Sequence, residues 1–323
     1  MRKNKIILIA GDPYSVNSEI ISKVWNKLSN SAKRSLYLIG NFKLLNQQFK
    51  KLGYKTPTIR LENIDQIIST PKLKVLNIPF EYIGPFKFSP KKTKKYVLNS
   101  FKLGHHLAMT NQVKGLINCP IDKSLLGNLK NLGVTEFLSQ KNKITKGTEV
   151  MFIHNKKLSV VPITTHININ KVSKNLNQKL IITKMVTLKK DFKRLFKRDP
   201  KIAILGLNPH NSEFRDASEE INVIIPAVSK LKKMGLSIKG PLPADTIFID
   251  NYKNFDVIVG MYHDQVLTPF KTLFKYDAIN ITLGLKYIRV SPDHGPAKDL
   301  IAKNKSNHLS LLNCINFVNN LGK

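Results

Sequence analysis

The chain of 323 residues is long enough for one large core or for two lobes, and its 42% apolar and 8% aromatic content fits a soluble globular protein. Lys and Arg number 53 against 21 Asp and Glu, a formal charge of +32 with a sequence pI near 10.1. The lysines are scattered singly and in pairs with no arginine-rich block and no aromatic-interleaved basic stripe, which argues against specific nucleic-acid binding and leaves a compositional drift that would draw anionic substrates inward.

In chain order, Lys5 to Ala10 reads as a buried strand. It is too short for a membrane span, and it meets the turn Gly11-Asp12-Pro13 instead of a signal cleavage site. Asn17 to Leu28 predicts a helix whose apolar face is Ile20, Ile21, Val24, Trp25 and Leu28. Leu36 to Ile39 predicts a short strand, and Phe42 to Leu52 a helix stopped by Gly53. Residues 54–92 carry Pro57, Pro71, Pro79, Pro85 and Pro90, which mark loops and edge strands around Leu73–Ile78. A helix from Thr93 to about Ala108 leads into the strand Gly115–Cys119. The two cysteines, Cys119 and Cys314, sit far apart in unrelated contexts. They supply neither a disulfide framework nor a zinc-ribbon spacing, which places the chain in a reducing, cytoplasmic setting.

Asp122-Lys123 opens a short helical segment, and Gly133 to Phe137 begins another. Strands follow at Glu149–Ile153 and Leu158–Ile163, then a helix from about Lys179 to Phe196 whose basic second half is a solvated face. The strand 201–207 precedes a helix from about Ala217 to Met234, capped by Asp216 or Ser218 and ended by Gly235. Pro226 lies inside that span, so a kink or break is expected there. Gly240 to Thr246 reads as a tight loop, and the last helix runs from about Leu309 to Asn320. Strands alternating with helices predict an α/β fold with a largely parallel sheet. The last helix is the natural partner of the first βα unit, so the chain is expected to leave for a second lobe and return.

The chemistry concentrates between Phe255 and Asp299. The apolar run Val257–Met261 breaks at Tyr262-His263-Asp264-Gln265, and Lys271, Asn280 and Arg289 then offer donors for an anionic substrate. The pattern recurs: Val160 to Thr165 ends on His166, and Ile202 to Pro209 ends on His210. One such histidine alone would read as a core or loop residue. Three at equivalent positions point to a divalent metal, because imidazole is the commonest protein ligand and three ligands with an open position form the usual catalytic set. His105, His106, His154 and His308 lack this context and read as surface or packing residues.

Five motifs stand together in order: Gly206-Leu207-Asn208-Pro209-His210, Gly240-Pro241-Leu242-Pro243-Ala244-Asp245-Thr246, Met261-Tyr262-His263-Asp264-Gln265, Asn280 to Leu285 with Ile288-Arg289, and Asp293-His294-Gly295. With them the chain resembles, over nearly its whole length, the 4-hydroxythreonine-4-phosphate dehydrogenase family of vitamin B6 biosynthesis. The resemblance implies a two-lobed αβα fold like that of isocitrate and isopropylmalate dehydrogenases, with the active-site cleft between lobes, and not a Rossmann domain. Residues 1–120 with 276–323 would form the first lobe and carry the cofactor loop. Residues 121–275 would form the second lobe, with the metal and substrate residues and the dimer interface.

The resemblance further implies a homodimer with its active site near the interface. A divalent metal (Zn2+, Mg2+ or Co2+) would be held by His166, His210 and His263, with at least one ligand donated across the dimer. NAD or NADP would be held by Gly11, Asp12, Asp293, His294, Gly295 and Ala297, and lack of a Gly-x-Gly-x-x-Gly does not count against it. Thr135, Lys271, Asn280 and Arg289 would hold the substrate's phosphate and polar groups. Asp245, Asp264 and Lys271 would be the catalytic set, the two acids orienting the metal histidines or relaying the proton. The implied reaction oxidises 4-phosphohydroxy-L-threonine to 2-amino-3-oxo-4-phosphooxybutanoate, which decarboxylates to 3-amino-2-oxopropyl phosphate on the way to pyridoxal 5'-phosphate.

Three departures from the family pattern stand out. The family usually opens Gly-Asp/Glu-Pro-Ala-Gly-Ile-Gly-Pro-Glu, where this chain has Gly11-Asp12-Pro13-Tyr14-Ser15-Val16-Asn17-Ser18-Glu19. Its Gly-His-Thr-Glu is here Gly133-Val134-Thr135-Glu136. Asp122-Lys123 stands where His-Lys is common, and Val266-Leu267-Thr268 replaces Gly-Leu-Pro. Val134 keeps open a dehydrogenase of another phosphorylated four-carbon hydroxy acid. A catalytically weakened metal- or nucleic-acid-binding homologue is the reading from another class.

Overall fold

The computed structural model describes residues 4–66, 70–126, 134, 138 and 147–322. Its chain divides into two compact units, Met1–Lys130 with Lys286–Lys323, and Asn131–Leu285. Strands β1 (Ile6–Ile9), β2 (Leu36–Gly40), β3 (Thr58–Leu61), β4 (Leu73–Asn77) and β5 (Gly115–Asn118) belong to the first unit. Strands β6 (Val150–His154), β7 (Ser159–Pro162), β8 (Ile202–Leu205), β9 (Ile238–Leu242), β10 (Val257–Gly260) and β11 (Ile279–Leu283) form the second. Strand β12 (Arg289–Pro292) returns to the first.

In the first unit the strands lie in the order β3-β4-β2-β1-β5-β12, and each neighbouring pair runs parallel. A parallel sheet is covered on both faces, which is why β1 reads Ile-Ile-Leu-Ile with no polar alternation and is buried throughout. The helix Asn17–Lys27 buries Ile20, Ile21, Val24 and Trp25 at helical spacing. The last helix, Leu309–Asn320, buries Leu311, Cys314, Ile315 and Val318 and packs against that first helix and β12. Each such buried aliphatic side chain contributes about 1.5–3 kcal/mol. Cys119 and Cys314, remote in sequence, are both free and buried in this unit, and burial, with the Cys119 thiol adding to it, pushes the Cys314 thiol up.

In the second unit the order is β11-β6-β7-β10-β8-β9; β7, β10, β8 and β9 run parallel and β6 is antiparallel to both its neighbours. Because β11 pairs antiparallel with β6, the return to the first unit falls after Leu285 instead of at residue 276. The helix Gln178–Phe196 covers this sheet with Ile181, Met185, Leu188 and Phe192 buried. Among the described residues no helix is long and apolar enough to cross a membrane.

Four details differ from the sequence expectation. Leu73–Asn77 is an inner strand; the edge belongs to β3, whose mixed burial hides its period. The residues Gly240-Pro241-Leu242 form the end of β9 and not a loop, and they occupy a sheet edge, where proline's missing N–H is tolerated. The helix expected from Thr93 begins at Pro90, whose fixed φ suits a first helical position. Finally, the expected break at Pro226 takes the form of a π-helical turn, Glu220–Ile224, ahead of the helix Ile225–Lys233. The proline ring has no N–H and crowds the carbonyl four residues back, which widens that turn.

The turn after β1 is built without the family's later glycines. Gly11 remains, at φ +78°, where a Cβ would lie 2.6 Å from the Pro120 carbonyl oxygen. Asn17 Nδ2 donates to the carbonyls of Ala10 at 2.9 Å, Pro120 at 2.8 Å and Asp12 at 3.3 Å. The Val16 N–H donates to the Pro296 carbonyl at 3.1 Å, which ties this turn to the loop after β12. One side chain thus closes this turn. Asn17→Ala leaves buried carbonyls unmatched and is expected to lower stability by about 2–4 kcal/mol in urea unfolding; a loss well under about 1 kcal/mol would show that water replaces the amide.

Candidate functional site

The three histidines singled out in the sequence follow the carboxyl ends of three adjacent parallel strands, β7, β10 and β8. Backbone and side-chain bonds hold these ends together. Ile163 N–H donates to the Gly260 carbonyl at 2.8 Å and Thr164 N–H to the Met261 carbonyl at 3.1 Å. The Thr164 hydroxyl also donates to the Met261 carbonyl, at 2.7 Å. Gln265 spans the other gap: its Oε1 accepts from Met261 N–H at 2.7 Å while its Nε2 donates to the Gly206 carbonyl at 2.8 Å.

The ring centroids of His166 and His263 lie 5.9 Å apart. His263 Nδ1 is 2.6 Å from Asp264 Oδ1, an arrangement that fixes the tautomer and leaves Nε2 for a ligand bond. His210 lies apart from that pair, with its Nδ1 4.0 Å from Asp245 Oδ2. Among the described residues of one chain, no three His, Cys, Asp or Glu groups converge on a metal position. The described residues therefore bring the His166 and His263 pair together and hold His210 separately.

The loop that carries His210 has its own supports, which the sequence reading missed. Glu220, fully buried, accepts from Leu207 N–H at 2.7 Å and from Asn208 N–H at 2.9 Å, and its second oxygen from Asn208 Nδ2 at 3.0 Å. Burial opposes the charge on Glu220, but these hydrogen bonds outweigh it and hold its pKa below the ordinary carboxylate value. From His210 to Phe214 five successive non-glycine residues take φ between +50° and +58°. L-residues rarely string together in the left-handed region, at about 1–2 kcal/mol each.

The remaining expected residues divide between the units. Lys271 is exposed on the helix His263–Phe274. Asn280 sits on β11 opposite Ile153, and its side-chain oxygen is buried with no donor among the described residues. Arg289 opens β12 in the first unit, is 2% exposed, and donates from Nε to Asn118 Oδ1 at 2.8 Å. Thr135 lies outside the described residues.

The first unit carries a second cluster, again at the carboxyl ends of adjacent parallel strands. Asp12 follows β1, Asp122 follows β5 and Lys298 follows β12. With Tyr14, Phe86 and Phe88 they line a pocket of about 520 Å³. The Lys298 ammonium pairs with Asp122, and hydrogen bonds from Lys298 and Ser124 bring the Asp122 carboxyl down to about 2. Asp12, 2% exposed, accepts from Tyr14 N–H at 2.9 Å, yet burial pushes its carboxyl up to about 6. Of the residues expected to hold a dinucleotide, Gly11 and Asp12 are thus brought beside the loop of Asp293, His294, Gly295 and Ala297. In that loop Asp293 N–H donates to Ser310 Oγ at 2.9 Å, His294 Nδ1 lies 2.9 Å from the Gly295 carbonyl, and Ala297 adopts φ +46°. Tyr14, Asp122 and Lys298 were missed as pocket residues; their only sequence signal was their place beside the motifs.

The fold is α/β, with two clusters at the carboxyl ends of its strands. The model of the family "Pyridoxal phosphate biosynthetic protein PdxA" matches residues 32–318, and the chain belongs to that family. It is 35% identical over 319 residues to the 4-hydroxythreonine-4-phosphate dehydrogenase of Sulfurihydrogenibium sp. (strain YO3AOP1), covering 96% of both chains. With that of Aquifex aeolicus (strain VF5) the identity is 34% over 326 residues and 98% of both. The crystal structure of the 4-hydroxythreonine-4-phosphate dehydrogenase from Klebsiella pneumoniae superposes with a TM-score of 0.84 at 28% identity, covering 98% of each chain. A terephthalate 1,2-cis-dihydrodiol dehydrogenase from Burkholderia xenovorans LB400 shares the fold, with a TM-score of 0.66 at 20% identity.

The raised Asp12 pKa has a stability consequence. Between its ordinary value near 3.8 and about 6, the folded protein holds a proton that the unfolded chain releases, so this group's contribution falls as pH rises through that window. Asp12→Asn is therefore expected to raise the stability of the ligand-free protein at pH 7 by about 2–3 kcal/mol, with the gain fading toward pH 4. Urea unfolding at the two pH values checks it; an equal effect at both would mean that the change acts through packing.

Proposed function

We propose that this chain oxidises 4-phosphohydroxy-L-threonine with NAD or NADP in pyridoxal 5'-phosphate biosynthesis, using a divalent metal. The product, 2-amino-3-oxo-4-phosphooxybutanoate, is a β-keto acid and loses CO2 to give 3-amino-2-oxopropyl phosphate. The observation that carries the reading is the His166 and His263 pair at the ends of neighbouring strands, rings 5.9 Å apart, with Asp264 on the far nitrogen of His263. A divalent cation held there supplies Lewis-acid polarisation of the substrate hydroxyl and of the carbonyl that replaces it.

The chain's own residues do the rest. The hydroxyl-bearing carbon gives a hydride to the nicotinamide and its hydroxyl gives a proton. Asp264 orients His263, Asp245 stands 4.0 Å from His210, and these acids with Lys271 are read as the groups through which that proton reaches water. Lys271 and Arg289 suit a phosphate as point charge and planar fork, and the buried Asn280 oxygen accepts a donor from the substrate. At least one of the three histidines is read as serving a second copy of the chain in a homodimer, since within one chain His210 stands beside Asp245 and away from the other two. Two buried, unpaired cysteines are in keeping with a cytoplasmic setting.

The test is absorbance of reduced nicotinamide on mixing protein, 4-phosphohydroxy-L-threonine, either dinucleotide and a divalent metal. Turnover is expected to stop with chelator, and His263→Ala is expected to lower it by more than about a hundredfold together with bound metal. Turnover that survives both would sink the metal assignment, and metal binding without turnover would point to another phosphorylated hydroxy acid.

A further inference from the structure

The pocket of the first unit has a charge arrangement that a dinucleotide site does not in general require. Two lysines line it, Lys87 and Lys298, and the Lys298 ammonium is committed to Asp122. Asp12 is left as a buried carboxylate with no Lys or Arg within ion-pair distance among the described residues, and its nearest donor is a backbone N–H. An uncompensated buried carboxylate is costly unless something cationic meets it. Three aromatic rings line the same pocket, Tyr14, Phe86 and Phe88. The Tyr14 ring, 44% exposed, already has the Lys298 ammonium 5.9 Å from its centroid, so this face accepts positive charge. The volume of about 520 Å³ has room for one half of a dinucleotide.

We propose that this pocket receives the nicotinamide end of the cofactor and selects its oxidised, cationic ring over the reduced, neutral one, with Asp12 as the counter-charge and Tyr14 as the stacking face. The inference rests on the dehydrogenase reading above and assigns the half of the cofactor and its redox state to named groups. The oxidised ring is a flat cation and satisfies both features of the pocket; the reduced ring keeps the shape and loses the charge. An adenine end would be flat but neutral, and would leave Asp12 without compensation. Once hydride has been transferred, the attraction to Asp12 disappears, which favours release of the reduced cofactor.

The sign of the pH dependence follows. The charged groups around Asp12 are Lys298 from the loop after β12 and Asp122 from the loop after β5, with Tyr14 on its own turn. Lys298 and Asp122 keep their charges across the neutral range, since each holds the other in its ionised form. Asp12 alone titrates there, near 6, so lowering the pH through that value removes the counter-charge. An opposite charge within about 4–6 Å shifts a carboxyl by one to three units, and each unit is tenfold in affinity.

The experiment is calorimetric or fluorescence titration of the full chain with NAD+, NADH, nicotinamide mononucleotide and AMP between pH 5 and pH 8. For the wild type, affinity for NAD+ and nicotinamide mononucleotide is expected to weaken about five- to tenfold from pH 8 to pH 5, while NADH changes less than about twofold. Asp12→Asn is expected to flatten the NAD+ profile at its weak level, and Tyr14→Ala to weaken both redox forms without altering the pH profile. If Asp12→Asn leaves NAD+ binding unchanged, if NADH follows the same pH profile, or if AMP competes and nicotinamide mononucleotide does not, the inference is overturned while the dehydrogenase reading stands. A wild type that binds neither dinucleotide at any pH overturns the dehydrogenase reading, and this inference with it.

Discussion

The arrangement of the second unit depends on how one glutamine closes the gap between two strand ends. Gln265 sits at the start of a helix and turns back, so that its amide oxygen takes the Met261 N–H and its amide nitrogen meets the Gly206 carbonyl. Both glycines beside it are there for space. A Cβ on Gly260 would lie 2.6 Å from Val266 Cγ1 and 2.9 Å from Gln265 Oε1, and one on Gly206 would lie 2.1 Å from Asn211 Oδ1. Without that side chain the end of β10, which carries His263, would be unlinked from the end of β8, which leads to His210. On the other flank Thr164 makes the equivalent link from β7 with its hydroxyl. The histidines are therefore positioned by polar side chains that pull three strand termini to one level, on top of the sheet's own ladder.

Much of this was legible in the sequence, and the limits have physical causes. Apolar runs of similar length that each stop at a histidine can be read directly, because buried parallel strands show no alternation and their ends are marked by polarity. The neighbours cannot. The chain visits β7, then β8, then β10, whereas the sheet places β10 between the other two. Only the crossover makes His263 the neighbour of His166 and leaves His210 on the far side. Glu220 escaped notice because it falls inside a predicted amphipathic helix, where an acid is normally solvent-facing; the π-helical turn ahead of Pro226 instead turns it inward to Leu207 and Asn208. The motif containing Gly240 and Pro241 looked like a loop since both residues are breakers, and an edge strand with a register irregularity accepts them.

The left-handed run from His210 to Phe214 was also beyond reach of pattern reasoning. Nothing in His-Asn-Ser-Glu-Phe favours positive φ except Asn211, whose side chain is buried and lies against Gly206. The surroundings impose the geometry: Glu220 fixes the backbone just before the run, and the short contact at Gly206 leaves Asn211 little other room. A strained segment beside a candidate ligand is a common property of working sites, and here it coincides with the histidine that stands apart from its two companions.

The two units solve opposite electrostatic problems with the same residue type. In a chain where basic residues outnumber acidic ones 53 to 21, a buried carboxylate is an uncommon object. Glu220 and Asp12 are both buried, and burial opposes the charge on each. Glu220 receives two backbone N–H groups and a side-chain amide, enough donors to keep it ionised, and so it serves as a fixed anchor for the loop before His210. Asp12 receives too few donors to offset its burial, and the adjacent ammonium is spoken for by Asp122. The difference in donor count drives their pKa values apart, which is how an environment separates a structural acid from one held ready for a ligand. Of these two, Glu220 faces its own backbone and Asp12 lines a pocket.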